Sequence, residues 1–585
     1  MRLLEILIMT LAGVWQGVRQ DFNLLEVALI AGGLWAWKKG WRPLYPAWLR
    51  IPRVCLRHPV LTALGLVAAV IALRLALIPV LPVPFPLVSD EFSHLLLADT
   101  LAHGRLANPT PAFWQHFESL HIIPQPHYVS NYFPGQALLL AAGQVALHSP
   151  WAGVLAGGAC FLLALYWALR GWMPARWALY GVLLAALRFA VASYWVNAYH
   201  GGFVPAAGGA LVLGAYARLH RRASIAGGAA LGLGLAILAV TRPFEGVAYA
   251  APLSAMLAWE YRARLAALLR IAVPALVLTG AALACLGVYL KAVTGSPFVT
   301  AYHISQKTYG WPMALAWTPP PRIQNHHLEM ANYYDYEVGE HEKVADPVNV
   351  IEYFTLKIQE YWRFFFGPLL TIPLIMLGSV WRRRKMLFAG LAGALAAILL
   401  EGAASPHYLA PAAAVLIAIL VECCRRLQAA RIRILPLLPA VMVLVLVLRI
   451  GAEQAGLPYT QKLNFQTWCC RVGGNRNKPR IITELAKTPG NHLVFVKAKT
   501  DSQNLFQWIY NGADIDGSRF IWARDLGDAE NARLAGSMAG RKVWMVDPNV
   551  EPATLTAYDP ASITKPARPK TTLQSSRQPL PPSPR

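Results

Sequence analysis

Long uninterrupted apolar runs set the limits on what this chain can fold into. Segments such as 60–80, 151–170 and 269–290 are almost free of charge, and about 20 such residues are what one helix needs to cross a bilayer. In hydrocarbon every backbone N–H and C=O needs a partner within the protein, so a spanning segment is either a helix or a strand of a closed barrel. Barrel strands are short and alternate apolar with polar residues, and these runs do neither. The chain is therefore expected to be an all-α polytopic membrane protein with about 11–12 transmembrane helices. Composition agrees, because only 14% of residues are charged against about 25% in average soluble domains.

The formal net charge is +23, which in a soluble protein would point to nucleic acid, since basic surfaces displace counterions from phosphate backbones. The positions of the charges exclude that reading. Lys38, Lys39, Arg42, Arg50, Arg53 and Arg57, then Arg170 and Arg176, Arg218 to Arg222, Arg262 to Arg270, Arg382 to Lys385, and Arg425 to Arg433 all fall in short turns between apolar runs. Cytoplasmic loops of membrane proteins carry such an excess. Spans are expected at 60–80, 151–170, 177–196, 203–219, 224–240, 246–260, 269–290, 363–381, 386–401, 407–424 and 434–450, with 5–37 forming one further helix or a hairpin. Alternation from an inside loop at 38–57 then puts every basic cluster in the cytoplasm and the polar segments outside. The implied location is the plasma (inner) membrane, with an extracytoplasmic site.

The chain divides accordingly into an N-terminal membrane unit with a basic loop (1–58), a transmembrane domain with outer loops 81–150 and 291–362 (59–450), and a soluble α/β domain (451–560). The Pro-, Ser- and Arg-rich tail 561–585 is expected to be disordered. In the soluble part, HLVFVKA and RKVWMV alternate like strands around a helical DLGDAENARLAGSM. Seven cysteines make no disulfide framework or zinc spacing. The vicinal pairs Cys423–Cys424 and Cys469–Cys470 read as ordinary small residues. Arg74 and Arg188 lie within apolar runs, where long side chains can snorkel to the surface.

Chemistry concentrates in the first outer loop. Ser89, Asp90 and Glu91 open a short helix expected to lie along the membrane surface. In one reading Ser89 caps that helix and the two acids complement its dipole. In the other Asp90 is a general base, its pKa raised by desolvation at the membrane edge. An acidic pair after a span, a surface helix, and then HYVSNYFPGQ (His127 to Gln136) leading into the next span together resemble the GT-C superfamily of glycosyltransferases, most of all its protein O-mannosyltransferases and lipid A aminoarabinose transferases. The resemblance spans 60–450 in architecture and is confined in motif to Asp90, Glu91 and 127–136.

This resemblance implies an inverting glycosyltransferase that moves a sugar from a polyprenyl-phosphate donor to an acceptor outside the membrane. Asp90 would be the base and Glu91 its positioning partner, with His127, Tyr128, Asn131 and Tyr132 in the substrate site. Related sequences often carry a Lys in the tyrosine-proline motif, where this chain has Asn131 or Phe133, so another cation must meet the donor phosphate. Arg242, at the outer end of a span in TRPFEG, is the first candidate, with a simple ion pair to Glu245 as its alternative. His200 in WVNAYHGG, His407 and Tyr408 in SPHYLAP, and His303 in the 291–362 loop are further candidates, although interfacial aromatics need no function. His326, His327 and Glu329 could bind a divalent ion, but adjacent loop histidines rarely converge, and no metal and no cofactor are expected. The rival readings are a transporter or flippase for lipid-linked saccharides, and a non-catalytic assembly protein.

Overall fold

The computed structural model describes residues 23–40, 57–312, 315, 318–325, 327–345, 349–402, 405–432, 434–455, 466–470, 477–498 and 508–558. The first part of the 5–37 segment, His326, Arg433 and the tail expected to be disordered lie outside the described residues.

Each expected span from residue 60 onward falls on a helix, yet the spans are unequal in length. Four helices, Pro59–Ala76, Pro150–Trp172, Leu265–Thr294 and Pro406–Ala429, are long and apolar enough to cross a membrane on their own. A fifth crossing is the pair Glu352–Phe365 and Gly367–Arg383, bent by 95°. The apolar helices Leu24–Ala36, Phe203–Leu219, Ile225–Ala239, Lys385–Leu400 and Leu437–Ala452 have only 10–17 residues. The expected 177–196 span ends early: Ala175–Ala185 passes into a π-helical turn at Ala186–Ala190 and then into irregular chain. The correction to 11–12 full-length spans has a physical basis. A helix enclosed by others can stop at membrane depth, because neighbouring helices rather than lipid meet its freed backbone groups.

Helix faces identify the surrounding medium. On Leu265–Thr294, Leu276, Val277 and Val288 are 70%, 62% and 63% exposed, a patch water would not tolerate and lipid solvates. The inner helix Phe203–Leu219 packs on Pro150–Trp172 through Gly214, where an added Cβ would meet the Trp167 ring at 2.3 Å. The 95° bend turns on Gly367 at φ +60, where its amide end also faces Arg188.

Arg74 and Arg188 do not snorkel. Both are fully buried. Arg74 donates to Leu81 O at 2.9 Å and Asn197 Oδ1 at 2.7 Å and lies over the Trp151 ring. Arg188 donates to the Phe364 and Arg363 carbonyls and lies over Trp468. They satisfy carbonyls where the chain is irregular, a need that outweighs hydration of the guanidinium. Cys469 and Cys470, beside Trp468, are joined as a disulfide rather than packed as free thiols.

At one end of the bundle the basic turns bond one another, with Arg221 donating to Gly171 O at 2.7 Å, Tyr261 to Leu219 O at 2.6 Å, and Arg384 and Arg425 both meeting Glu422. At the other end sits a mixed sheet in the order β4 (Phe520–Arg524), β3 (His492–Val496), β5 (Lys542–Asp547), β6 (Thr554–Ala557), parallel except for β6. Central β3 is buried along its whole length, as parallel strands are. The sheet docks on the first outer loop. Leu96, Phe117, Ile122 and Tyr128 share a core with Phe495, Ile521 and Leu534, Ala513 N–H donates to Asp99 Oδ2 at 2.7 Å, and buried Arg524 pairs with Glu329 and reaches Glu118 O at 3.2 Å.

The helix Ser89–Ala102 is consequently enclosed between sheet and bundle, with nine buried residues, instead of lying on a lipid surface. Arg524→Ala leaves Glu329 without its buried partner and is expected to cost about 3–5 kcal/mol, read as a lowered melting temperature and faster amide exchange in β4.

Candidate active site

The helix Ser89–Ala102 begins from Val88, not from Ser89, whose hydroxyl makes no hydrogen bond among the described residues. Glu91 does the capping: its carboxylate accepts Leu87 N–H at 3.0 Å, Val88 N–H at 3.4 Å and, from a distant segment, Tyr199 N–H at 3.0 Å. Wholly buried and occupied by backbone amides, Glu91 anchors the acidic turn. Its neighbour Asp90 keeps 31% of its side chain exposed.

A hairpin of β1 (Ile122–Ile123) and β2 (Val129–Ser130) delivers the partners of Asp90. Tyr132 donates its hydroxyl to Asp90 Oδ1, and His121 Nδ1 lies 3.9 Å from Oδ2. His121 holds φ at +60, a left-handed backbone that costs a non-glycine residue about 1–3 kcal/mol. Its carbonyl accepts from Ser93 Oγ at 2.6 Å and Asn131 N–H at 3.0 Å, which keeps it there. Aromatic packing fixes the rings: Tyr132 stacks on His94 at 4.6 Å, His121 stacks on Trp311 at 4.6 Å, and Tyr333 Oη meets His121 Nε2 at 3.0 Å.

Beside this group lies a cleft of about 350 Å³ lined by His94, Tyr132, Phe133, Gln136, His200, Gly201, Thr241, Arg242 and Tyr302. Gly202, at its back, permits the chain to pass the Trp195 ring, which an added Cβ would meet at 2.4 Å. Arg242 lies 4.4 Å above the Tyr408 ring and 3.1 Å from Glu245. This pair is largely buried, at 22% and 7% exposure, and is not the solvated pair expected from sequence. The His200 and His407 rings are 5.1 Å apart, and Tyr194 Oη meets His407 Nδ1 at 3.1 Å.

The electrostatics reverse the expectation for Asp90. Burial pushes its pKa up, but His121, His200, the Tyr132 hydroxyl and His94 together bring it down to about 2. His94 falls to about 3, first through burial and then through repulsion by His200 and Arg242, against the pull of Asp90. His121 is likewise lowered, by burial above all. At neutral pH the site therefore presents an ionised carboxylate among neutral imidazoles and one guanidinium.

The other sequence candidates are distributed differently. Tyr132, His200 and Arg242 line the cleft, and Tyr408 and His407 support it from below. His127 lies in the hairpin turn, and Tyr128 donates to Asn511 O at 3.2 Å, so it serves sheet docking. Asn131 is buried, with its carboxamide making no hydrogen bond among the described residues. His303 caps its own helix through its N–H, and the adjacent Tyr302 reaches the cleft in its place. His327 pairs with Glu118 at 2.8 Å and Glu329 with Arg524. Among the described residues no group of three His, Cys, Asp or Glu is set to hold a metal ion. Sequence reasoning missed His94, His121, Tyr302, Trp311 and Tyr333. His94 alone had a usable signal, four residues after Asp90 and hence on the same helix face.

Fold and site together define a polytopic helical membrane protein with a carboxylate–tyrosine–histidine group and an arginine in one cleft beneath a small sheet domain. No family profile and no curated protein matches the sequence. Among solved structures the chain is similar to ArnT from Cupriavidus metallidurans, in the apo state and bound to undecaprenyl phosphate, with a TM-score of 0.48, 14% and 13% identity, and coverage of 83% of this chain and 93% of that one. It is also similar to the Archaeoglobus fulgidus oligosaccharyltransferase tethered with an acceptor peptide, with a TM-score of 0.42 and 12% identity over 85% of this chain and 70% of that one.

Tyr132→Phe removes a donor to the charged form of Asp90. The Asp90 pKa is expected to rise from about 2 towards 3.8, followed by isotope-edited infrared titration of its carboxylate band.

Proposed function

We propose that this protein is an inverting glycosyltransferase that takes a sugar from a polyprenyl phosphate and passes it to a hydroxyl acceptor on the extracytoplasmic side of the plasma membrane. The observation that carries this reading is the cleft itself, where an ionised carboxylate, Asp90, and a buried guanidinium, Arg242, serve one small space at the end of the bundle away from the basic turns. The acidic pair and tyrosine-proline segment that resemble the GT-C superfamily add to it.

In the proposed step Asp90 takes the proton of the acceptor hydroxyl as its oxygen attacks the anomeric carbon. The bond from that carbon to the phosphate oxygen breaks with its electron pair leaving on the lipid phosphate, and the sugar is inverted. Arg242 faces the departing charge, and a fixed cation in a cleft of low polarity stabilises it more than water would. His94 and His200 add N–H donors without competing charge, since His94 is neutral at pH 7. Arg242 thus supplies the cation that the tyrosine-proline segment lacks. Glu91 acts at one remove, through the turn it anchors.

The test is sugar transfer from a panel of labelled polyprenyl-phosphate sugars by the purified protein in liposomes. Asp90→Asn is expected to abolish transfer while donor binding persists; transfer at the wild-type rate defeats the base assignment. Absence of transfer from every donor, with lipid-linked saccharide moving across the bilayer, would make the protein a flippase. Arg242→Gln is expected to weaken binding of undecaprenyl phosphate about tenfold or more, the scale of one lost charged hydrogen bond, measured by equilibrium binding of the labelled lipid.

A further inference from the structure

The contacts of Asp90 do not end at the cleft. Tyr132 Oη touches both Asp90 Oδ1 and, at 3.3 Å, His121 Nδ1. The opposite ring nitrogen of His121 meets Tyr333 Oη at 3.0 Å. Tyr333 in turn hydrogen-bonds Glu337, one helical turn later on Leu328–Ala345, and Trp311 bonds the same carboxylate. The result is an unbroken line of exchangeable protons from the cleft to a partly buried carboxylate on the 291–362 loop. Every member is held: His121 by its strained but doubly bonded backbone, its ring by Trp311, and Tyr333 by its edge contact with the His121 ring.

We propose that Glu337 is the terminal proton acceptor of this site, receiving through Tyr132, His121 and Tyr333 the proton that Asp90 takes from the acceptor hydroxyl. The assignment rests on the reading of Asp90 as the base. The transfer balances with one proton moved per link. Protonated Asp90 donates to Tyr132 Oη, and Tyr132 gives its own proton to His121 Nδ1. His121 releases its Nε2 proton to Tyr333, and Tyr333 gives its proton to Glu337. Asp90 ends as a carboxylate, His121 stays neutral as the other tautomer, and Glu337 ends as a carboxylic acid. The relay resets when Glu337 loses that proton to water and the hydroxyls and ring turn back.

Proton affinity runs in the needed direction. Asp90 is held near 2, so it keeps a proton poorly. Burial, with repulsion from Asp90 and Glu340, lifts Glu337 to about 7 against hydrogen bonds from Tyr333 and Trp311. The charged and titratable groups around it are Asp90 from the acidic helix and Tyr333, Tyr334, Tyr336 and Glu340 from its own, with Tyr353 from the helix that follows.

The experiment is single-turnover transfer across pH with wild type, Glu337→Gln, Glu337→Asp and Tyr333→Phe. Glu337 must be ionised to accept, so the wild-type rate is expected to climb as pH rises through about 7 and then level. Glu337→Gln should lose that limb and turn over about tenfold or more slowly on the plateau, with donor binding unchanged. Glu337→Asp should restore the limb. Tyr333→Phe, which keeps the ring and removes the link, should behave as Glu337→Gln and decides the matter if the glutamine variant misfolds. A wild-type pH profile retained in Glu337→Gln or Tyr333→Phe, while Asp90→Asn abolishes transfer, overturns the relay and leaves the glycosyltransferase standing. No transfer by wild type from any donor removes both.

Discussion

The cleft depends on one buried carboxylate. Glu91 holds the backbone amides of Leu87 and Val88 at the start of its own helix and that of Tyr199 in a segment more than a hundred residues away. A carboxylate enclosed in this way is tolerable only when its oxygens are satisfied, and here the groups satisfying it belong to the two pieces of chain that must meet. The turn that carries Asp90 and the segment that carries His200 are thereby set face to face. Breaking that junction would separate the base from half of its cleft without touching either residue.

Around this junction the site is assembled from loops rather than spans. Asp90 and His94 come from the first outer loop, His121 and Tyr132 from its hairpin, Tyr302, Trp311 and Tyr333 from the 291–362 loop, and Arg242 from a turn between helices. Loops placed on a rigid scaffold are where such chemistry is usually found. Two features make these loops rigid: the edge-to-face and stacked rings that lock the histidines, and the sheet domain that covers the hairpin through His116, Ser119, Tyr128 and Arg524. The domain after residue 451 is thus structurally continuous with the site.

The membrane imposes a second order of constraint. Several helices stop short and the crossing at Gly367 is bent, so backbone carbonyls emerge where no water is available. Arg74, Arg188 and Arg449 answer them, each donating to a carbonyl and resting on an indole ring. Their place inside apolar runs is an account of irregular backbone and has no need of a transport pathway.

The helical class was legible from apolar length alone, because hydrocarbon leaves a lone segment no alternative to the helix. The positions of the helices were legible for the same reason, and the strands of the C-terminal domain showed in their alternation. Helix length and bending were not, since they depend on which neighbours enclose a helix end. At the site, Asp90 stood out by its place after a span and Arg242 by its charge at a span end. His121 and Tyr333 did not, because no pattern in an irregular loop encodes a contact across 212 positions. The division of labour between Asp90 and Glu91 was equally hidden. Two adjacent acids look alike in sequence, and only the packing of Tyr199 against one of them made it an anchor and left the other facing the cleft. The sequence by itself determined the medium, the helices and the residue types available for chemistry. The tertiary structure decided which of those residues meet and how strongly each holds its proton, because distance and burial, on which both depend, are properties of the folded chain.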